Sequence, residues 1–381
     1  MGLFVNSDNY AFRTAVSGKI YVDKTGLLEL TNRFLGTPQS FICVSRPRRF
    51  GKSTVANMLA AYYSRGCDSH DLFAGLAIEK SADYEKYLNK FDVIHLDIQW
   101  CCNEAGSADK TVSFIKKTVL FDLRNIYGDL IPENITEIAE ALSYISDATG
   151  NRFVIIIDEW DVLIRDEAEN NVVQKEYFDF LCGLFKGAKP TKYIALAYMT
   201  GILPIKKYIA QSVLNNFDEY TMISDGLFES YIGFTDDEVK LLCEKYHKDF
   251  QKVKFWYDGY KLNGCHLYNS WAIINLMLRG NFDYYWSRTG TYESIVPLIN
   301  MNFDGLKTAV MMMLSGDVVP VRTRSYQNDM VTFKNSNDVI TALIHLGYLA
   351  YNEEEGTAYI PNEDVRINFL AVMRKAGEVR F

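Results

Sequence analysis

Several ingredients are scarce in this chain. Only 8 prolines and 24 glycines occur in 381 residues, which excludes a disordered Pro/Gly-rich tract or a collagen-like repeat. No stretch approaches the roughly 20 apolar residues that a membrane span needs. The most apolar neighbourhood, Ile194 to Ile205, is broken by Thr200 and Pro204, so no membrane segment is expected. No secretory n-region and h-region open the chain, and its 7 cysteines are odd in number and mostly single. A reducing cytoplasm is the expected location. Positive charge is in deficit, with 40 Lys and Arg against 48 Asp and Glu for a net charge of −8. That balance argues against nucleic acid as a partner recognised over the whole surface, although one basic patch can survive inside an acidic protein.

What remains is globular. Apolar residues make up 48% of the chain and charged residues 23%, enough for two or three domain cores at this length. Leu27, Leu28, Leu30 and Phe34, after the YVDKT run Tyr21–Thr25, recur as on a helix. SFICVS reads as a strand that feeds a glycine-lysine loop and a helix over 52–63. Further strands are expected at Asp92 to Ile98, at Phe153 to Asp158 and at Tyr193 to Gly201. Helical segments at 111–127, 135–146 and 173–185 separate them. Near-continuous apolar strands alternating with helices predict a doubly wound, mainly parallel α/β sheet over residues 1–233.

The pattern then changes. Thr235 with Glu238 forms a capping-box signature, and from there to about Leu314 the chain reads as helical and aromatic, a lid over 234–300. Residues 301–381 are expected as a winged-helix-like unit, with a helix from Asp338 to His345 and a hairpin turning at Glu353 to Gly356.

The chemistry is concentrated in RPRRFGKST, Arg46 to Thr54. The phosphate-binding pattern G-x-x-x-x-G-K-[ST] is met at Gly51, Lys52 and Ser53, with Arg46 in place of the first glycine. In such a loop the backbone N–H groups of Arg48, Arg49, Phe50, Gly51, Lys52, Ser53 and Thr54 line an anion nest, and the positive end of the next helix adds to it. Lys52 would reach the terminal phosphates, and the Ser53 hydroxyl would ligate Mg²⁺. The strand FVIIID delivers Asp158 and Glu159 at its C-terminal end. That is the layout in which one acid, Asp158, serves Mg²⁺ and the other, Glu159, polarises the attacking water. The expected ligands are thus ATP or ADP with Mg²⁺. NKFD (Asn89–Asp92) imitates a guanine-reading string but precedes the wrong strand, and neither His95 with Cys101 and Cys102 nor Cys265-His266 has the spacing of a zinc site. Met311–Met313 is expected to fill a core.

These residues resemble the AAA-ATPase-like family, bacterial P-loop ATPases related to archaeal and STAND-type ATPases and often fused to a PD-(D/E)XK nuclease-like domain. RPRRFGKS is that family's usual loop, and YVDKT before it and IIDEWD, MTGILPI, GFTDDEV, WYDGY, YNSWAI, GYLAY and IPNEDV after it resemble family motifs in the family's order. The resemblance implies a sheet in which the strand ending at Thr200 separates the loop strand from the Asp158 strand. It also implies Thr200 as a sensor between the γ-phosphate and Glu159. Arg48 and Arg49 either stabilise phosphate charge or face solvent. Asp23, Lys24 and Thr25 either approach the base or cap a helix, and Trp256, Tyr257 and Tyr260 either stack on a ligand or build a core. No second group of paired carboxylates and lysine follows Pro361, so nuclease activity is not expected. The functional expectation is a slow Mg²⁺-dependent ATPase whose nucleotide state repositions the lid and C-terminal unit. The alternative is a nucleotide-gated binding module with negligible hydrolysis, and a protein partner or second copy stays open.

Overall fold

The structure, a computed structural model, describes residues 2–208, 211–212, 214–224, 226–286, 292–301 and 303–375. The end of the expected C-terminal unit, 376–381, lies outside them. Two compact units are present. The first comprises Met1–Val44, Lys52–Gly201 and Ile205–Glu219, and the second Ser45–Gly51, Ile202–Pro204 and Tyr220–Phe381.

The first unit is built on strands β1 (Phe41–Ser45), β2 (Asp92–Asp97), β3 (Phe153–Asp158) and β4 (Ile194–Gly201), in the order β2-β3-β4-β1, with Asp218–Tyr220 on the far edge. β2 and β3 run parallel, as do β3 and β4. The strand ending at Gly201 therefore separates the loop strand from the acid-bearing strand, as the resemblance implies. β1, β3 and β4 are buried along their whole length, which is why their sequences are apolar without alternation. Phe153, Ile155 and Ile157 share one core with the helices Thr111–Tyr127, Ile138–Thr149 and Asn171–Phe185. Val154 and Ile156 lie outside that core yet are fully buried, as the period of two requires when both faces are covered. Two helices precede the loop, α1 (Tyr10–Val16) and α2 (Leu27–Phe34). The helix after the loop, α3 (Lys52–Tyr63), packs against β2, β3 and β4.

In the second unit Thr235 caps the helix Asp236–Tyr246 with both halves of a capping box formed. Here the structure corrects the all-helical expectation. Phe234–Thr235, Cys265–Tyr268 and Tyr260–Leu262 form an antiparallel three-stranded sheet in that order. Leu262 pairs with Cys265 across Asn263-Gly264, whose φ values are 45° and 82°. Two successive left-handed residues of this type close a two-residue hairpin, and that local preference overrides the helical reading. Further on, the helix Ser336–Leu346 leads into the antiparallel pair Ala350–Asn352 and Thr357–Tyr359, with Val319–Pro320 beside the latter. Of the three methionines, Met313 is buried and Met312 is exposed, so the run fills the core only in part.

Candidate active site

The acid pair and the lysine meet at the C-terminal end of β3. Asp158 stands in register with Asp97 of β2 and Thr200 of β4 and is 3% exposed. Its Oδ1 accepts from the Glu159 amide at 2.9 Å. Burial pushes Asp158 up from 3.8 to about 6, the Glu159 and Asp97 charges add to that, and Ser53 and Lys52 oppose it. A carboxylate held this way gains by pairing with a cation.

Glu159 sits just past the strand with φ +50°, a conformation that non-glycine residues rarely adopt. Its Oε1 lies 3.7 Å from the Lys52 ammonium, and its Oε2 accepts from Arg165 NH2 at 3.0 Å. Arg165 also donates through Nε to the buried Asp161 at 2.9 Å. Sequence reasoning missed Arg165 and Asp161. Their separation by four positions was the available signal, since residues so spaced meet on a helical turn. The Thr200 hydroxyl donates to the Val44 carbonyl of β1 at 2.9 Å.

The loop itself, Ser45–Gly51, belongs to the second unit. Arg46 is completely buried, and its NH1 donates to the Ser45 carbonyl at 3.0 Å and the Tyr220 carbonyl at 3.5 Å. The residue in the first-glycine position is thus spent on main-chain oxygens. Left-handed backbone falls instead on Arg49 (φ 69°) and Gly51 (φ 97°). Arg48 and Arg49 are exposed, and the Arg49 guanidinium lies 4.7 Å from the Trp271 ring. Phe50 is buried, with its ring edge-on to Tyr260 at 5.3 Å. Ser53 and Thr54 are exposed on the first turn of α3, and Lys52 is buried.

The remaining sequence candidates have structural employment. Asp23 Oδ1 accepts from the Thr25 amide and hydroxyl, and its Oδ2 accepts from Ala77 N. Both oxygens being spent, α2 is left with Gly26 at its N-cap and no side-chain cap. Asn89 bonds the main chain of Ala61, Ser64 and Ser69, and Asp92 accepts from Asn6 and Tyr127. Trp256 and Tyr257 pack on Tyr284 and Phe282. In the second unit Asp236, Asp258 and His266 offer ligand atoms within 4.8 Å of one another. Lys254 Nζ lies 3.1 Å from Asp236 and 3.4 Å from Asp258, so an ammonium already serves as their cation. A cleft of about 700 Å³ lined by Glu137, Lys186, Pro190 and Tyr193 lies at the opposite end of β4 and includes none of the site residues.

A loop carrying Gly51-Lys52-Ser53 between a buried strand and a helix, with an acid pair ending a strand beyond the neighbouring one, defines an α/β fold of the P-loop class. The chain matches the family described as Predicted AAA-ATPase over residues 10–209 and belongs to that family. It is 27% identical over 289 residues to an uncharacterized protein in the vnfD 5' region of Azotobacter chroococcum mcd 1, covering 73% of this chain and 52% of the relative. The chain thus spans about half the length of that relative. Among solved structures it is similar to the Aeropyrum pernix ORC2 protein in its ADPNP-ADP complexes, at 11% identity and a TM-score of 0.32 over 92% of this chain and 94% of that one. It is likewise similar to Cdc6p from Pyrobaculum aerophilum, at 10% identity and a TM-score of 0.29 over 98% and 99%. Among the described residues no helix is long and apolar enough to cross a membrane.

Proposed function

We propose that the chain binds ATP with Mg²⁺ and hydrolyses it slowly. The observation that carries this is the convergence of Lys52, Ser53, Asp158 and Glu159 at the end of β3. A hydroxyl and a carboxylate are hard oxygen donors that suit Mg²⁺, so Ser53 and Asp158 would hold it. The bound ion would neutralise charge developing on the phosphoryl oxygens. Lys52 would meet the terminal phosphates, and the amides from Arg48 to Thr54 would meet the phosphate oxygens. Glu159 would accept a proton from the attacking water, with Thr200 as the sensor on the neighbouring strand. Nucleotide state would reposition the helical and winged-helix-like segments after residue 233.

The Glu159 geometry supports a second reading. A carboxylate whose two oxygens already face Lys52 and Arg165 is engaged in ion pairs, which favours a nucleotide-gated binding module with little hydrolysis. Phosphate release by the wild type and by Glu159→Gln separates the two. The ATPase reading expects turnover that falls at least about a hundredfold in the variant. Equal release by both proteins removes Glu159 as the base.

A further inference from the structure

The loop is held from one side by the helix Ser270–Arg279, with its N-cap Asn269, and by Trp286. Asn269 Nδ2 and Trp286 Nε1 both donate to the Arg48 carbonyl, at 3.1 Å and 3.3 Å. The Trp271 amide donates to the Arg49 carbonyl at 3.4 Å, and the Ser270 hydroxyl donates to the Phe50 carbonyl at 3.3 Å. Three consecutive carbonyls are therefore pinned toward one wall. In a planar trans peptide the C=O and the following N–H point in opposite directions. Pinning the oxygens of Arg48, Arg49 and Phe50 thus turns the amides of Arg49, Phe50 and Gly51 away from the wall. Consecutive N–H groups aimed the same way form an anion nest.

We propose that Asn269 and Trp286 are positioning residues for the phosphate loop. They touch no reacting atom, and they act by fixing the Arg48 carbonyl so that the next amides stay directed at the nucleotide phosphates. The inference rests on the proposed nucleotide binding and adds to it a specific source of the loop's preorganisation, drawn from residues more than 200 positions downstream.

Asn269 permits a clean separation of roles, because its two side-chain atoms do different things. Oδ1 caps the helix by accepting from Ala272 N at 3.0 Å, whereas Nδ2 serves the loop. Asn269→Asp keeps the cap acceptor and removes the loop donor. Trp286→Phe removes the other donor and keeps an aromatic ring against Tyr348, which is 5.1 Å away. Full-length wild type, both single variants and the double variant would be titrated with Mg²⁺ and a non-hydrolysable ATP analogue by calorimetry, with melting curves of the free proteins alongside. Each single variant is expected to weaken binding about two- to tenfold, the size of one lost hydrogen bond. The double variant should weaken it further, with the free protein's melting temperature unchanged within about 2 °C. In turnover KM should rise with kcat nearly constant, a split that a general loss of structure does not produce. If the wild type binds and either folded variant binds equally well, the positioning role is overturned while nucleotide binding stands. If the wild type gives no heat, nucleotide binding itself falls and the positioning role falls with it. Should Asn269→Asp fail to fold, Trp286→Phe decides alone.

Discussion

Asp158→Asn should stabilise the nucleotide-free protein at neutral pH, and the gain should appear only as the pH rises. The native carboxyl sits near 6 against an ordinary 3.8, chiefly because burial penalises its charge. Between those two values the native state keeps a proton that the unfolded chain has released, so stability falls with rising pH there. Below about 3 both states are protonated and the group contributes nothing. Above about 6 both are ionised, and the native state bears the whole cost of a buried charge. A gap of about 2 at roughly 1.4 kcal/mol for each makes a penalty of about 3 kcal/mol at pH 7. Asparagine does not titrate, and its oxygen can still accept from the Glu159 amide, so any change in hydrogen bonding offsets the comparison by a constant. Urea unfolding of both proteins in chelator, at intervals from about pH 3 to 8, isolates the titrating part. The stability of Asp158→Asn relative to wild type should rise by about 3 kcal/mol across that range and level off above about pH 7. A difference independent of pH, or one moving the other way, would refute the assignment of a buried, destabilised acid at this position. Excess Mg²⁺ should then stabilise the wild type and leave the variant unchanged.

Two other substitutions test neighbouring contacts. Arg165→Met leaves Asp161 buried without its Nε donor and removes one of the two cations on Glu159; breaking such a pair from one side should cost about 3–5 kcal/mol in urea unfolding, and a loss below about 1 kcal/mol would show the cluster to be solvated. Thr235→Ala removes the capping box on Asp236–Tyr246 and should cost about 1 kcal/mol, with the loss restored by Thr235→Ser.

The sequence made the fold of the first unit legible because its strands are buried on both faces. A strand such as Phe153–Asp158 has no polar position to confuse its period. The same clarity placed Asp158 and Glu159 at a strand end, and the capping box and the Glu353 to Gly356 turn were equally local signals. The hairpin at Asn263-Gly264 was also written locally, and it was overridden by the aromatic density around it, which suggested helices. Residues that act through distant partners left no local trace. Asn269 reads as one more helix cap, and its second hydrogen bond, to Arg48, joins positions 221 apart. Trp286 has the same character. Arg165 sits within a single helical turn, yet its buried pairing with Glu159 follows from how β3 delivers that side chain past the end of the sheet.

The left-handed backbone at Arg49 and Gly51 and the bonds to the carbonyls of Arg48, Arg49 and Phe50 fall on one short stretch of the loop. A loop that begins with glycine can bend through left-handed backbone at its entry at no steric cost. Here the entry residue is Arg46, outside the left-handed set, and Pro47 behind it disfavours a helical turn at that point. The bend has moved to Arg49 and Gly51, and at Arg49 a side chain must tolerate φ +69°, which costs an L-residue roughly 1 kcal/mol or more. A strained residue persists only where its surroundings over-determine it. The bonds to the carbonyls of Arg48, Arg49 and Phe50, together with the stacking of Arg49 on Trp271, supply that constraint. On this reasoning the RPRRFGKS loop and the YNSWAI segment form one device: Arg46 anchors the entry, and Asn269 to Trp271 hold the strained middle.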